Sequence, residues 1–201
     1  MNDTHLITAI VLAAGLSRRM GRAKLLLPLQ GGPVIRITVE RVLASGIARV
    51  VVVTGPEPGG ITEALAGLTV TLAVNPSPET GQAGSIRTGI TALPHETSAA
   101  LIVLGDQPFV PPRVISSLLA ARRSTATPIV APRYRDGRGN PVLFGSEMFP
   151  ELLELSGDQG ARSIIERDPG RVTLVDFDVP MPADVDTPED YGRLRSPDNP
   201  V

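Results

Sequence analysis

Three short segments of the sequence carry the residue types that bind phosphate groups and metal ions. The first, LAAGLSRRMGRAK, follows an apolar run and combines small residues with four basic ones. Ala13, Ala14 and Gly15 allow close approach to the backbone, whose successive N–H groups can form an anion-binding nest. Arg19 and Lys24 can then neutralise phosphate oxygens. A triphosphate cradle and an ordinary basic loop fit this segment about equally, because it has neither the P-loop pattern nor GxGxxG.

The second segment, LGDQPFV, follows another apolar run and contains Asp106. An unpaired carboxylate at the end of a buried strand is costly, so Asp106 needs a partner. One interpretation is a turn or cap for the helix that begins near Pro112. The other is an oxygen ligand for Mg²⁺, which prefers one or two carboxylates together with substrate phosphates. A basic loop and a carboxylate at one sheet edge favour the magnesium interpretation.

The third segment, PADVDTPEDYGRL, lies near the C-terminus. Thr187 suits the N-cap of a helix, Pro188 suits its first position, and the acidic residues that follow suit the positive end of the helix dipole. Capping does not account for Asp184 and Asp186, which come just before. One of these two carboxylates could pair with Asp106 across a metal ion.

Short β-branched runs alternate with helical patterns along the first half of the chain. Most of the runs are continuously apolar, which is typical of strands whose sheet is covered by helices on both faces. The alternation predicts a mostly parallel α/β sheet. The predicted strands cover residues 7–13, 49–54, 70–74 and 100–104, and the predicted helices cover residues 33–45, 61–66, 83–93 and 112–123.

The second half of the chain is less regular. A polar loop, RYRDGRGN, separates two further predicted strands, and we interpret it as a hairpin or as a lid over a site. The predicted elements of this half are strands over residues 128–132, 141–144 and 172–177, helices over residues 148–155 and 159–167, and a last helix from Pro188.

These elements predict one domain over residues 1–195, a Rossmann-like three-layer α/β sandwich with a mostly parallel central sheet. Residues 196–201 are expected to be a disordered tail. In open sheets of this class, ligands bind at the carboxyl ends of the strands. The sheet is therefore expected to bring the chemistry-bearing segments together.

The composition excludes several classes of function. The 201 residues include no cysteine, which rules out disulfides, thiolate metal sites and cysteine nucleophiles. The net charge of −2 argues against general nucleic-acid binding. No apolar run of 18 residues is present and the N-terminus does not have the pattern of a signal peptide, so we expect no membrane association and a cytoplasmic enzyme.

The motifs LAAGLSRRMGRAK, GDQP, GRGNPVLF, GDQGAR and DVDTPEDY together resemble the MobA-like nucleotidyltransferases. The resemblance covers nearly the whole chain. Within that superfamily, GRGNPVLF and GDQGAR make the sequence most similar to the molybdenum cofactor cytidylyltransferases (MocA). The resemblance implies a magnesium-dependent transfer of CMP from CTP to molybdenum-molybdopterin, which releases pyrophosphate and forms molybdopterin cytosine dinucleotide. A molybdenum hydroxylase is then the expected recipient of the product.

The resemblance also implies a role for particular residues. Lys24, Arg19 and Asp106 take catalytic roles, and Asp106 and Asp186 bind Mg²⁺, with Asp184 a weaker candidate. The implied nucleotide-binding residues are Leu12, Ala13, Ala14, Gly15, Arg19, Gly21, Lys24, Ser85 and Asp106, and the implied acceptor-binding residues are Gly139, Asn140, Pro141, Asp158, Gly160 and Arg162.

Ala14 is implied to select the base. Relatives that use GTP tend to have LAGG at the end of the first strand, whereas cytidylyl relatives have LAAG, as here. A Cβ at this position would crowd a purine and leave room for a pyrimidine, so CTP is expected over GTP.

Several of these residues also have plain structural interpretations. Asp158 could cap a helix, Arg162 could make a surface ion pair, and glycines 81, 84 and 89 could serve only close helix packing. Two other functions stay open: nucleotidyl transfer to another small phosphorylated acceptor, and a non-catalytic carrier of finished cofactor for a molybdoenzyme.

Overall fold

The computed structural model describes residues 6–15, 20, 23–158 and 160–195. The predicted tail at residues 196–201 lies outside this part, so its disorder and the domain boundary stay predictions. Short 3₁₀ turns cover Lys24–Leu26, Pro78–Thr80, Ser146–Met148 and Pro169–Arg171. The strands are β1 (Ile7–Ala13), β2 (Pro28–Leu29), β3 (Gly32–Pro33), β4 (Arg49–Thr54), β5 (Thr71–Val74), β6 (Ala99–Leu104), β7 (Ile129–Tyr134), β8 (Gly137–Arg138), β9 (Val142–Gly145) and β10 (Val172–Asp176). The helices are α1 (Val34–Ala44), α2 (Gly59–Ala64), α3 (Gly81–Thr91), α4 (Pro112–Ser124), α5 (Phe149–Leu153), α6 (Arg162–Arg167) and α7 (Pro188–Arg195).

The central sheet has the strand order β10-β7-β9-β6-β1-β4-β5, and β8 pairs with β7. Strand β1 lies in parallel between β4 and β6, whereas β9 runs antiparallel to both of its neighbours. The predicted mostly parallel α/β sheet is therefore confirmed. Leu12 is paired with Leu104, so the segments that follow β1 and β6 leave the sheet side by side at one edge.

Helices cover both faces of the sheet, as the continuously apolar strands predicted. On β1, Ala9 and Val11 pack into one hydrophobic cluster with α1, α2, α4 and α7, and Ile10 packs into the other with α3, α5 and α6. Alternate side chains of a strand point to opposite faces, which is why both sets are apolar. This arrangement confirms the three-layer sandwich. None of the described helices is both long and apolar enough to cross a bilayer.

The largest differences from the predicted elements lie in the second half. The helix predicted over residues 159–167 begins only at Arg162, because Gly157 (φ +73°) and Gly160 (φ +54°) have left-handed backbone that a helix cannot contain. The segment predicted as a helix over residues 148–155 is a 3₁₀ turn followed by the shorter α5. The polar loop forms the predicted hairpin, with β8 folded back on β7.

Gly89 allows α3 to lie close against the sheet. A Cβ at this position would clash with Ile10 Cγ2 of β1 and lie 3.2 Å from Val53 Cγ2 of β4. We expect Gly89→Ala to lower the free energy of unfolding by about 1–3 kcal/mol, because an added methyl group overpacks this contact. The measurement is urea denaturation followed by circular dichroism.

Gly192 of α7 provides the matched control, since a Cβ there meets nothing within 4 Å. Gly192→Ala is expected to raise the free energy of unfolding by about 0.5–1 kcal/mol through helix propensity alone. Equal stability of Gly89→Ala and the wild type would show that α3 does not depend on this close approach.

Candidate active site

Lys24, Asp106 and Asp186 meet at the carboxyl edge of the sheet. The Lys24 Nζ donates to Asp106 Oδ2 at 2.5 Å and to Asp186 Oδ1 at 2.7 Å. These side chains are only 12%, 20% and 26% exposed, so solvent screens the two ion pairs weakly. Lys24 is also the only lysine in the chain, where every other cationic side chain except histidine is an arginine. Residues from three distant parts of the sequence thus form one charged cluster, the Lys24 cluster.

Backbone hydrogen bonds hold the carboxylates of the Lys24 cluster in place. The Gly105 N–H donates to the Leu12 carbonyl at 3.0 Å, which ties the end of β6 to the end of β1. The Val185 N–H donates to the Asp106 carbonyl at 2.9 Å and brings the segment before α7 to the same point. Thr187 caps α7, with its hydroxyl accepting from the Asp190 N–H at 3.1 Å. The predicted N-cap at Thr187 is therefore confirmed.

The structure does not support helix capping by Asp106 or Asp158. The residue that caps α4 is Pro111 and the one that caps α6 is Ala161, and neither helix has a side-chain cap. The capping interpretation of these two aspartates is therefore wrong, and both instead line a cavity.

The charges of the Lys24 cluster affect one another strongly. Burial acts to lower the pKa of Lys24, but attraction and hydrogen bonds from Asp106 and Asp186 outweigh it and hold that pKa above 10.5. The pKa of Asp184 is raised by burial first and by the neighbouring Asp106 carboxylate second. Lys24 thus stays protonated at neutral pH, and the site holds more carboxylate than ammonium groups among the described residues.

Gln107 is a site residue that the sequence analysis missed. Its Nε2 donates to Asp184 Oδ1 at 2.5 Å, its side chain is 3% exposed, and its Oε1 has no hydrogen-bond partner among the described residues. The signal that could have identified it is its position directly after Asp106. Gln107 and Asp184 both line a second cavity, whereas Asp186 pairs with Lys24, so the two carboxylates are placed differently.

Two cavities lie at this edge of the sheet, and the Lys24 cluster lines the first of them. The first, which we call the strand-end cavity, has a volume of about 410 Å³. The second, the hairpin cavity, has about 480 Å³ and lies beside the β7–β8 hairpin. Both cavities are lined by Gln82, Leu104 and Asp158, so the two spaces adjoin. Two ligands could therefore contact each other there.

Most of the residues implied for the nucleotide line the strand-end cavity. Ala13 does not, because its side chain packs in the hydrophobic core, and Arg19 and Gly21 lie outside the described residues. The implied nucleotide-binding residues that line this cavity are Leu12, Ala14, Gly15, Lys24, Ser85 and Asp106, and Asp186, implied as a metal ligand, lines it as well.

The residues implied for the acceptor lie mainly in the hairpin cavity, which Gly139, Asn140, Asp158 and Arg162 line. Pro141 and Gly160 are buried and do not line it. The Arg162 guanidinium also makes the surface ion pair that the sequence allowed, with Glu166 at 2.6 Å.

Close packing joins the segment before α6 to the start of α3. The Ala83 N–H donates to the Gly157 carbonyl at 3.2 Å. A Cβ on Gly81 (φ +79°) would clash with Asp158 Oδ1, and one on Gly160 would clash with Gln82 Oε1. This contact places Gln82 and Asp158 where the two cavities adjoin.

The donor set suits a hard divalent cation that also binds substrate. Within the described ranges, no three acidic or histidine side chains are arranged to hold a metal ion. Asp106 and Asp186 nevertheless converge on a single point, which the Lys24 ammonium occupies. Two carboxylates completed by phosphate oxygens are a typical Mg²⁺ environment. The residues present therefore fit Mg²⁺ bound together with a nucleotide.

Comparison with known proteins identifies the family. The model of the MobA-like NTP transferase domain matches residues 9–172. The purine catabolism protein PucB of Bacillus subtilis is 31% identical, covering 97% of this chain and 98% of its own. The molybdenum cofactor cytidylyltransferase of Escherichia coli is 24% identical over 92% and 93%. A probable molybdenum cofactor guanylyltransferase of Natronomonas pharaonis is 31% identical over 94% and 96%.

Solved structures include similar proteins that match over nearly their full length. Rv0371c from Mycobacterium tuberculosis superposes with a TM-score of 0.81 at 33% identity, covering 94% of this chain and 96% of its own. A manganese complex of the same protein superposes with a TM-score of 0.74.

Proposed function

The chain belongs to the family of MobA-like NTP transferase domains, and from this premise we propose that it transfers CMP from CTP to molybdenum-molybdopterin. Nucleotidyl transfer follows from the family, whereas the two substrates are part of the proposal. The observation that carries it is the strand-end cavity at the Lys24 cluster together with the hairpin cavity that adjoins it. One cavity suits a triphosphate, and the other combines apolar walls such as Ile102 and Phe144 with polar groups such as Arg138 and Asn140, as expected for a ring-bearing acceptor with polar substituents.

In the proposed reaction, an oxygen of the acceptor phosphate attacks the α-phosphorus of CTP. A new P–O bond forms, the bond from the α-phosphorus to the bridging oxygen breaks, and pyrophosphate leaves with the electron pair. The nucleophile is already ionised, so the protein needs no general base. Catalysis then depends on positioning and on neutralising charge.

The described residues divide this work between them. Lys24 remains protonated and neutralises triphosphate oxygens as charge develops on the leaving group. Gln82, a neutral residue that lines both cavities, aligns the two substrates.

We assign Mg²⁺ to Asp106 and Asp186. When bound, the cation would neutralise phosphate oxygens and stabilise the pyrophosphate as it leaves. The convergence of the two carboxylates supports this assignment, as does the manganese complex of Rv0371c.

The choice of acceptor and base rests on several features. GRGNPVLF and GDQGAR favour a molybdopterin-type acceptor, and Ala14 lines the strand-end cavity where it can limit the size of the base. The proposal includes a cytoplasmic location and delivery of the product to a molybdenum hydroxylase. PucB and a guanylyltransferase, each 31% identical, are more similar to this chain than the cytidylyltransferase at 24%, so the test must compare substrates.

The test supplies purified protein with molybdenum-molybdopterin, Mg²⁺ and either CTP or GTP, and follows pyrophosphate. Faster release with CTP is the expected result. Activity with GTP alone contradicts the base assignment. Pyrophosphate release with another phosphorylated acceptor, and none with molybdopterin, contradicts the acceptor. Tight cofactor binding without any pyrophosphate would favour the carrier function.

Ala14 gives a direct prediction about the base. Its side chain is 6% exposed and lines the strand-end cavity, so Ala14→Gly adds room where a base can lie. We expect this substitution to raise kcat/KM for GTP relative to CTP by about tenfold, the usual effect of one methyl group on a binding pocket. An unchanged GTP-to-CTP ratio in competition assays would show that Ala14 does not select the base.

A further inference from the structure

Arg138 is a cationic residue of the hairpin cavity whose role the proposed function leaves open. It lies on β8, and its side chain is only 25% exposed. Its guanidinium donates no hydrogen bond to any described residue. The one ion pair that it makes there is with Glu166 Oε1, at 3.7 Å. That carboxylate is already bound by Arg162 at 2.6 Å, so Arg138 shares a partner that is closer to another cation.

The other arginines of the same hairpin have close partners. Arg133, which is paired with Arg138 in the β7–β8 register, binds both oxygens of the exposed Asp176. Arg135 binds Asp178 at the surface, with its Nε donating to Oδ1 at 2.6 Å and its Nη2 donating to the backbone carbonyl at 3.0 Å. Burial lowers the pKa of Arg138, the Glu166 carboxylate offsets only part of that effect, and the nearby positive charge of Arg162 lowers the pKa further. An arginine side chain that is three-quarters buried and makes no hydrogen bond to the described residues is unusual, which indicates that its partner is a ligand.

The position of Arg138 suits an anion carried by the acceptor. The carboxylates of Asp158 and Asp184 also line the hairpin cavity and would repel a phosphate there, so a phosphate in this cavity needs a cation beside it. Of the two arginines that line this cavity, Arg162 is 74% exposed and bound to Glu166, which leaves Arg138 as the more buried and less satisfied cation. A guanidinium fork matches two oxygens of a phosphate in geometry.

We propose that Arg138 binds the phosphate of the acceptor and orients it towards the α-phosphorus of the nucleotide. This inference rests on the proposed function for the identity of the acceptor. It assigns the phosphate to Arg138 rather than to Arg162. Binding to Arg138 also offsets the repulsion between an anionic nucleophile and the triphosphate in the neighbouring cavity.

The first experiment uses inorganic phosphate and does not depend on the acceptor. Arginine side-chain Nε–Hε signals are followed by NMR during a phosphate titration, with Arg138 and Arg133 assigned from Arg138→Lys and Arg133→Met. We expect the Arg138 signal to shift with saturation, while the Arg133 signal stays in place because Asp176 already binds it. An Arg138 signal that does not respond to phosphate overturns the inference.

The second experiment measures binding of molybdopterin and of CTP to the wild type, Arg138→Met, Arg138→Lys and Arg133→Met. We expect Arg138→Met to weaken molybdopterin binding by about tenfold or more and to leave CTP affinity within about twofold, since the lost contact is charge-assisted and lies outside the strand-end cavity. The molybdopterin affinity of Arg138→Lys should lie between those of the wild type and Arg138→Met, because lysine keeps the charge but lacks the forked donors of a guanidinium. Arg133→Met makes the same change of charge in the same hairpin and should bind like the wild type.

Dephosphorylated molybdopterin identifies the anion. If Arg138→Met and the wild type bind it equally, the phosphate is the group that Arg138 holds. If the loss of affinity is as large as with the phosphorylated compound, the phosphate assignment is wrong. If the wild type does not bind molybdopterin but its Arg138 signal responds to phosphate, the proposed acceptor is wrong and the anion-binding role of Arg138 is still supported.

Discussion

Asp106→Ala is expected to lower the rate of nucleotidyl transfer by about a thousandfold. The carboxylate is one of two that converge on Lys24, and the proposed Mg²⁺ would lose one of its two protein ligands. The rate is followed as pyrophosphate release at saturating nucleotide. Asp106→Asn, which keeps the size of the side chain but removes its charge, should lose nearly as much activity.

The fold is expected to survive this substitution. Asp106 lies beyond the end of β6, is 20% exposed, and leaves Lys24 paired with Asp186 when it is removed. We expect the free energy of unfolding to change by about 1 kcal/mol or less. Asp178→Ala is a matched control, since its carboxylate is 92% exposed and pairs only with surface Arg135 among the described residues. Near-normal turnover by Asp106→Ala would contradict the metal-binding role.

Lys24→Met is expected to change two properties in opposite directions. The rate of transfer should fall by about a hundredfold, because the ammonium that neutralises the triphosphate is gone. The affinity of the nucleotide-free protein for Mn²⁺ should rise, because that ammonium occupies the point on which Asp106 and Asp186 converge. Methionine keeps the length of the side chain without its charge. Electron paramagnetic resonance of free Mn²⁺ measures the second effect without any catalysis.

Lys24→Arg tests whether the site needs a compact ammonium group or only a positive charge. An ammonium is compact and fits between two carboxylates at 2.5 and 2.7 Å, whereas a planar guanidinium is larger and its donors are fixed in a fork. We therefore expect the rate of transfer by Lys24→Arg to stay below that of the wild type. This expectation agrees with the single lysine in a chain whose other side-chain cations, histidine aside, are arginines.

For Lys24→Met, a lower Mn²⁺ affinity than in the wild type would show that Lys24 does not compete with the cation.

The central fold could be predicted because its signals are local. The apolar run of β1 and the punctuation around α1 and α4 depend on neighbouring residues, and these elements end within one residue of the predicted bounds. The segment around Gly157 and Gly160 was mispredicted because its backbone is set by packing against α3. Sequence periodicity carries no information about such a contact.

The sequence by itself determined the family, the parallel α/β class and the residues at the strand ends, since the motifs and apolar runs that encode them are continuous in the chain. Only the tertiary structure decided how those residues combine. It joined Lys24 to carboxylates 82 and 162 residues away and paired Asp184 with Gln107. It also gave Arg162 the close ion pair with Glu166 and left Arg138 with the longer one, at 3.7 Å. These contacts depend on the direction in which a side chain leaves the backbone, which is set by packing between elements far apart in sequence.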